Sequence, residues 1–396
     1  MLWTPIKELA ESPYGADAVI DPDGNVTVVW ADFAPPREIV AIRHPAGGRW
    51  SAPVVIGHGW HPKLAVDDHG SVTAVWLTLD GPRMHGVEVA RWCDQDVGWS
   101  DPVTLEAGTP TSYASSVSVA VNPSGDAVIA WAVRADPATN WRVRAVWRGR
   151  HGPWEEVATL TAEDGSECPS VGIDAVGRAV VLYGRQTLSH PGELFERVRH
   201  PGGRWSDPVR VAREGYSPVL AVDPAGNAAV LFSPDFSSAH GVARSLDGPW
   251  SEPEQIGPAD VDWYALSPCH VKTAVAAISG STHGGWIDIV ERTREGTWSK
   301  PERLLTGETF GFLSLATNQA CDVFLAWGDD ALEGSYHSVG ELWSPPITLS
   351  ALAESAGLES VVSRVARNGD VVVLWKREEY PLKVRIMRAR AASSGR

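Results

Sequence analysis

The phrase GGRWSAP at residues 47–53 returns as GGRWSDP at residues 202–208. In a looser form, Trp followed by Ser or Thr with a nearby Pro, it marks Trp3, Trp50, Trp99, Trp205, Trp250, Trp298 and Trp343, and Trp154 in PWEEV fills the one gap. Neighbouring marks lie 45 to 55 residues apart. A period of that size signals stacked supersecondary units, each too small to bury its apolar face alone.

A second phrase keeps step with the first. DPDGNVTVVW ends at Trp30, DDHGSVTAVW at Trp76, NPSGDAVIAW at Trp131, DAVGRAVVLY at Tyr183 and DPAGNAAVLF at Phe232. It continues in degraded form as NQACDVFLAW at Trp327 and ARNGDVVVLW at Trp375, while a sixth copy, PCHVKTAVAA, has lost both the Gly and the aromatic. An Asp-x-x-Gly between two apolar runs predicts a tight hairpin, in which Asp accepts hydrogen bonds from turn amides and Gly takes a positive φ. A third run, such as EIVAIRH or GVEVARW, leads through a second Gly-rich turn to the W-S-x-P strand. Each repeat is therefore four antiparallel strands, a to d.

Four-stranded repeats of this length predict an all-β fold, an eight-bladed β-propeller forming one domain over 1–396. The blades run approximately over 13–57, 60–106, 113–161, 168–213, 216–257, 261–305, 311–350 and 358–390. The last repeat lacks a d strand and residues 3–9 supply one, so the two termini are expected to share a sheet and close the ring. With 38 Gly and 29 Pro, the composition suits many turns and few helices.

A net charge of −15 argues against nucleic acid or an anionic membrane as partner. The start of the sequence shows no basic leader or apolar segment, and the four cysteines, Cys93, Cys168, Cys269 and Cys321, show no CxxC spacing. Reduced thiols in a cytoplasmic monomer are expected, and the scarcity of Lys beside Arg suggests a GC-rich, actinobacterial source. No spacing predicts a metal site and no phosphate or dinucleotide motif implies a cofactor.

The a–b and c–d turns share one face, short and repetitive; the d–a and b–c loops share the other, which is variable and is where a site is expected. Counting back from the hairpin Asp, strand a offers off-pattern polar residues that the alternation directs toward a central channel, while the apolar residues one and three before the Asp, such as Ile20, Val66 and Val121, are expected to pack between blades. Asp17, His61, Lys63, Asp262 and Tyr264 form the candidate acid–base set. Trp60, Tyr113, Cys168, Tyr216, Trp263, Trp286 and Phe312 are the candidate substrate-binding residues on the same face.

REGTWSKP at 294–301, LDGPWSEP at 246–253 and GGRWSDP at 202–208 resemble the Asp-box repeats of sialidase-like β-propellers. Ser245-Leu-Asp-Gly-Pro-Trp250 is two residues shorter than that motif, and most copies lack its Asp. The resemblance implies the scaffold. The arginine triad of sialidases is not carried over, because the aligned channel positions contain only Arg364.

The functional expectation is a cofactor-independent enzyme acting on a small molecule by cyclisation, elimination or hydrolysis at the channel mouth. The alternative is a carbohydrate- or protein-binding module without catalysis.

Overall fold

The computed structural model describes residues 2–388 apart from 12, 81–82, 94–97, 110, 137, 163–164, 188–189, 270–271, 282–283, 294–295, 308–309, 329–330, 351–357 and 378–380. Among these residues the regular structure is entirely β, arranged as seven antiparallel sheets. Six hold four or five strands. The seventh has seven, because the strand Val209–Val222 is at once the outermost strand of the fourth repeat and the innermost strand of the fifth.

The hairpin phrase folds as its chemistry predicts. Asp21 Oδ1 accepts the amides of Asp23 (3.0 Å) and Asn25 (2.8 Å), and Gly24 completes the turn at φ 87°. Asp67 and Asp174 repeat this arrangement at their own hairpins.

The W-S phrase is a clamp between strands c and d. Ser51 donates its amide to the Arg43 carbonyl (2.7 Å), while its hydroxyl accepts the Arg43 amide (3.1 Å). Ser100, Ser206, Ser251, Ser299 and Ser344 accept in the same way from Arg91, Val198, Ala243, Glu291 and Tyr336. Thr4 does so for Ile386 across the two ends of the chain, where Leu2–Trp3 and Lys7–Ala10 pair with Leu382–Arg388. The preceding Trp is capped by an arginine of the neighbouring c strand: Arg148 lies 5.2 Å from Trp154, Arg244 5.3 Å from Trp250 and Arg292 5.6 Å from Trp298.

The core lies in the seams between successive repeats. Val19, Val29 and Ile39 of the first repeat pack on Leu64, Ala74 and Trp76 of the second, and the later seams follow suit. One cluster joins Ala18 and Trp30 of the first repeat to Val372 and Leu374 of the last. At the seam of repeats four and five, Gly172 leaves room for the Val222 side chain; an added Cβ would stand 2.3 Å from Val222 Cγ2.

Two expectations are corrected here. Cys269 and Cys321 are joined in a disulfide, not held as free thiols. They lie 52 residues apart in sequence, one repeat, so stacking the repeats brings their Cα atoms to 5.2 Å. Cys321 occupies the hairpin position that Gly fills elsewhere, at φ 62°. Secondly, the residues just before the hairpin Asp do not pack only between repeats. Ile20, Val66, Val121 and Val365 line a central cavity of about 450 Å3 together with Ala65 and Ala120 from the alternate register. Strand twist turns both sets toward the axis at this end.

Candidate functional site

At the variable-face end of strand a, one extra residue is inserted against strand b in the first five repeats. The register slips between Pro13 and Ala16, Trp60 and Lys63, Ser115 and Ser118, Glu167 and Ser170, and Tyr216 and Val219. Inside each slip one residue takes a left-handed backbone: Gly15 (φ 70°), His61 (52°), Ser116 (54°), Cys168 (51°) and Ser217 (48°). Such bulges re-aim a side chain and tighten the local twist. Glycine would adopt this φ freely, whereas a side chain there costs about 1–2 kcal/mol. Four of the five positions nevertheless carry a polar or nucleophilic side chain.

The bulge residues sit side by side. A Cβ on Gly15 would lie 3.6 Å from His61 Nδ1, so the imidazole packs over the glycine. Ser116 Oγ donates to Cys168 Sγ at 3.9 Å. Next to Ser217, the Tyr264 hydroxyl donates toward the carbonyls of Ser217 (2.9 Å) and Tyr216 (3.1 Å).

Aromatic rings border this row. Tyr14 stands edge-on to Trp60 at 4.0 Å, with Phe33 6.1 Å from Trp60 and the Arg37 guanidinium 4.7 Å over it. Arg134 lies between Tyr113 (4.5 Å) and Trp141 (4.9 Å). Tyr216 stacks on Phe236 at 3.8 Å, and Trp263 lies 4.5 Å from Phe312. Phe33, Phe236 and Trp263 are 58%, 69% and 40% exposed.

The acid–base set does not converge. Asp17 is 3% exposed, and its Oδ2 accepts the Leu64 amide (2.9 Å) while Oδ1 accepts the Ala18 amide (2.8 Å) and Arg364 Nη2 (3.0 Å). It ties the first, second and last repeats together instead of facing a ligand. Burial and then the charge of Lys63 hold the His61 imidazole below its usual value, so it is neutral at pH 7. Burial pushes Tyr264 up to about 12, and its proton is already committed to backbone. Lys63 and Asp262 are exposed. In the sixth repeat the bulge is missing, and Asp262 precedes the strand Trp263–Pro268 with its amide donated to the Ser279 carbonyl (2.8 Å).

Among the aromatic candidates, Trp60, Tyr113, Tyr216, Trp263 and Phe312 are on the bordering girdle. Trp286 is not: at 5% exposure it packs with Ile278 and Val290 in the seam of repeats five and six, because its strand begins at that residue and turns the ring inward. The Cys168 thiol is pushed up by burial and stays protonated, which disfavours nucleophilic attack. The side chains of His85, His190 and His283 lie outside the described residues. Sequence reasoning passed over Tyr14, Phe33 and Phe236. The signal available was an aromatic just before the bulge in three repeats, Tyr14, Trp60 and Tyr216.

Beside this row, a cavity of about 210 Å3 is lined by Tyr14, Gly15, His61, Ser360 and the Glu359–Lys376 ion pair.

No family model matches the sequence, and no curated protein matches it. Solved structures do match. The Dos1 propeller aligns over 97% of this chain and 95% of its own with a TM-score of 0.58 at 10% identity. The BP39L lectin from Burkholderia pseudomallei aligns over 86% of this chain and 100% of its own with a TM-score of 0.56 at 13% identity. At these identities the likeness is one of fold: the chain is folded as a β-propeller.

Proposed function

We propose that this protein binds a saccharide at the variable-face mouth of an eight-bladed propeller and performs no chemistry on it. The eight blades are obtained by counting the two halves of the seven-stranded sheet separately, and closure is supported by the pairing of the terminal strands and by the seam between the first and last repeats. The observation that carries the functional reading is the run of left-handed, non-glycine residues bordered by exposed rings. Backbone strain held at equivalent positions in successive repeats points to selection for what those side chains meet. Exposed Tyr, Phe and Trp rings offer flat apolar faces to the C–H side of a sugar, while hydroxyl and imidazole groups pair with its hydroxyls. Partial repetition of the aromatic before the bulge suits a binder with several related subsites. A lectin among proteins of the same fold is consistent with this reading.

A second reading, acid–base catalysis, rests on the cavity where His61, Tyr14 and the Glu359–Lys376 pair meet. It is the weaker, because Asp17 and Tyr264 are already engaged. The disulfide favours maturation in an oxidising compartment over the cytoplasm.

The test is a glycan array followed by titration calorimetry with the best ligand. Tyr14→Ala and Trp263→Ala should each weaken binding about tenfold or more while leaving the fold intact. Absence of any glycan ligand, or product formation from one, would overturn the proposal.

A further inference from the structure

A groove of about 580 Å3 lies at the seam of repeats four and five, lined by residues 210–214 just before the Tyr216–Val219 bulge of the same strand. It exists because the chain has no loop there. The strand Val209–Val222 runs unbroken from one repeat into the next, whereas elsewhere a connection such as Glu106 to Tyr113 intervenes. The fifth repeat's own outer strand is only Glu254–Gln255, so it leaves the groove uncovered.

The floor is aromatic and fixed. Trp250 donates its indole N–H to Glu196 (2.9 Å), which is itself paired with Arg244 at 3.0 Å, and Phe232 lies behind it. Pro234 and Pro253 stiffen the walls. The rim carries Arg213, Glu214 and Glu252, all exposed and without an ion pair or side-chain hydrogen bond among the described residues, and Arg210, which pairs with Glu193 at 3.1 Å.

We infer that this groove is a second ligand site and that its occupant is a neutral oligosaccharide. Two guanidinium groups supply only donors and two carboxylates only acceptors. A sugar hydroxyl needs both, whereas an anionic ligand meets the two carboxylates and a cationic one the two arginines. The rim is of mixed sign, with Arg213 beside Glu214 and Glu252 and Arg210 already paired with Glu193. The volume lies within the range of small-ligand sites.

The experiment is saturation-transfer NMR and calorimetry of the intact protein with neutral trisaccharides of gluco, galacto, manno and xylo configuration, and with uronate trisaccharides beside them. A neutral trisaccharide should bind, and Arg213→Ala/Glu214→Ala should weaken it about tenfold at an unchanged unfolding midpoint. Tyr14→Ala/Phe33→Ala, which alters only the channel mouth, should leave this binding in place. The inference fails if no neutral sugar binds, if uronates are preferred, or if the groove variant binds like the parent. Loss of binding in the mouth variant alone overturns the groove and leaves the channel-mouth reading standing; loss in the groove variant alone supports the groove, and the channel-mouth reading is then judged by its own glycan ligand.

Discussion

Replacing Cys269 with serine should cost the protein about 4 kcal/mol, and replacing Cys321 with glycine about 3. The first figure follows from the 52-residue interval the disulfide closes, through the entropy removed from the unfolded chain. The difference comes from the backbone. Cys321 holds φ 62° where six other repeats place glycine, so glycine there relieves about 1 kcal/mol of left-handed strain that serine at 269 leaves untouched. Beside the disulfide the seam's hairpins are joined by the Ser267 and Thr317 hydroxyls, 2.9 Å apart. In the sixth repeat the turn is held by the Cys269 amide on Thr273 (3.2 Å) and the Lys272 amide on Cys269 Sγ (3.4 Å), with no Asp carboxylate gathering amides as Asp21 does. Against a total stability of about 5–15 kcal/mol, either loss is large. Urea unfolding followed by tryptophan fluorescence, on oxidised and thiol-reduced protein, measures both. Reduction should shift the parent midpoint and leave both variants unmoved. The reasoning is refuted if reduction does nothing to the parent, or if Cys321→Gly proves less stable than Cys269→Ser.

Three other outcomes are expected. Ser217→Gly should stabilise the protein by up to about 1 kcal/mol in thermal unfolding while weakening ligand binding, since it removes strain and a mouth side chain together; a loss of stability would show that the hydroxyl is structural. Asp17→Asn should destabilise by about 2 kcal/mol in urea, because it strips the charge from a buried carboxylate that serves Leu64, Ala18 and Arg364, with Arg364 still partly solvated. Burial holds His44, His61 and His240 below the ordinary imidazole value of 6.5. As pH falls the unfolded chain takes up these protons first, so the stability these groups contribute is whole above pH 6.5 and is lost as pH drops through their folded values. Urea midpoints across that window should fall with pH, less steeply in His61→Gln; an equal slope in parent and variant would remove His61 from the explanation.

The repeat was legible in the sequence because its signals are local. Asp21 and Gly24, or Ser51 and Arg43, lie close enough along the chain for turn and clamp chemistry to declare itself in a few residues. Even the two worn hairpins were visible as copies lacking their glycine. What the sequence did not disclose depends on which repeats become neighbours. Cys269 reads as a lone thiol until stacking sets it beside Cys321, and Asp17 reads as an acid until Arg364, 347 residues later, arrives at its carboxylate. The left-handed run was hidden for a related reason: Ser and Cys carry no local preference for that backbone and His only a weak one, and pairing with strand b is what forces the extra residue out. Local chemistry thus set the repeat and its turns, because hydrogen bonds within a few residues decide them. Only the tertiary structure decided which side chains are consumed by the scaffold and which remain free for a ligand, since that depends on contacts the chain makes one or more repeats away.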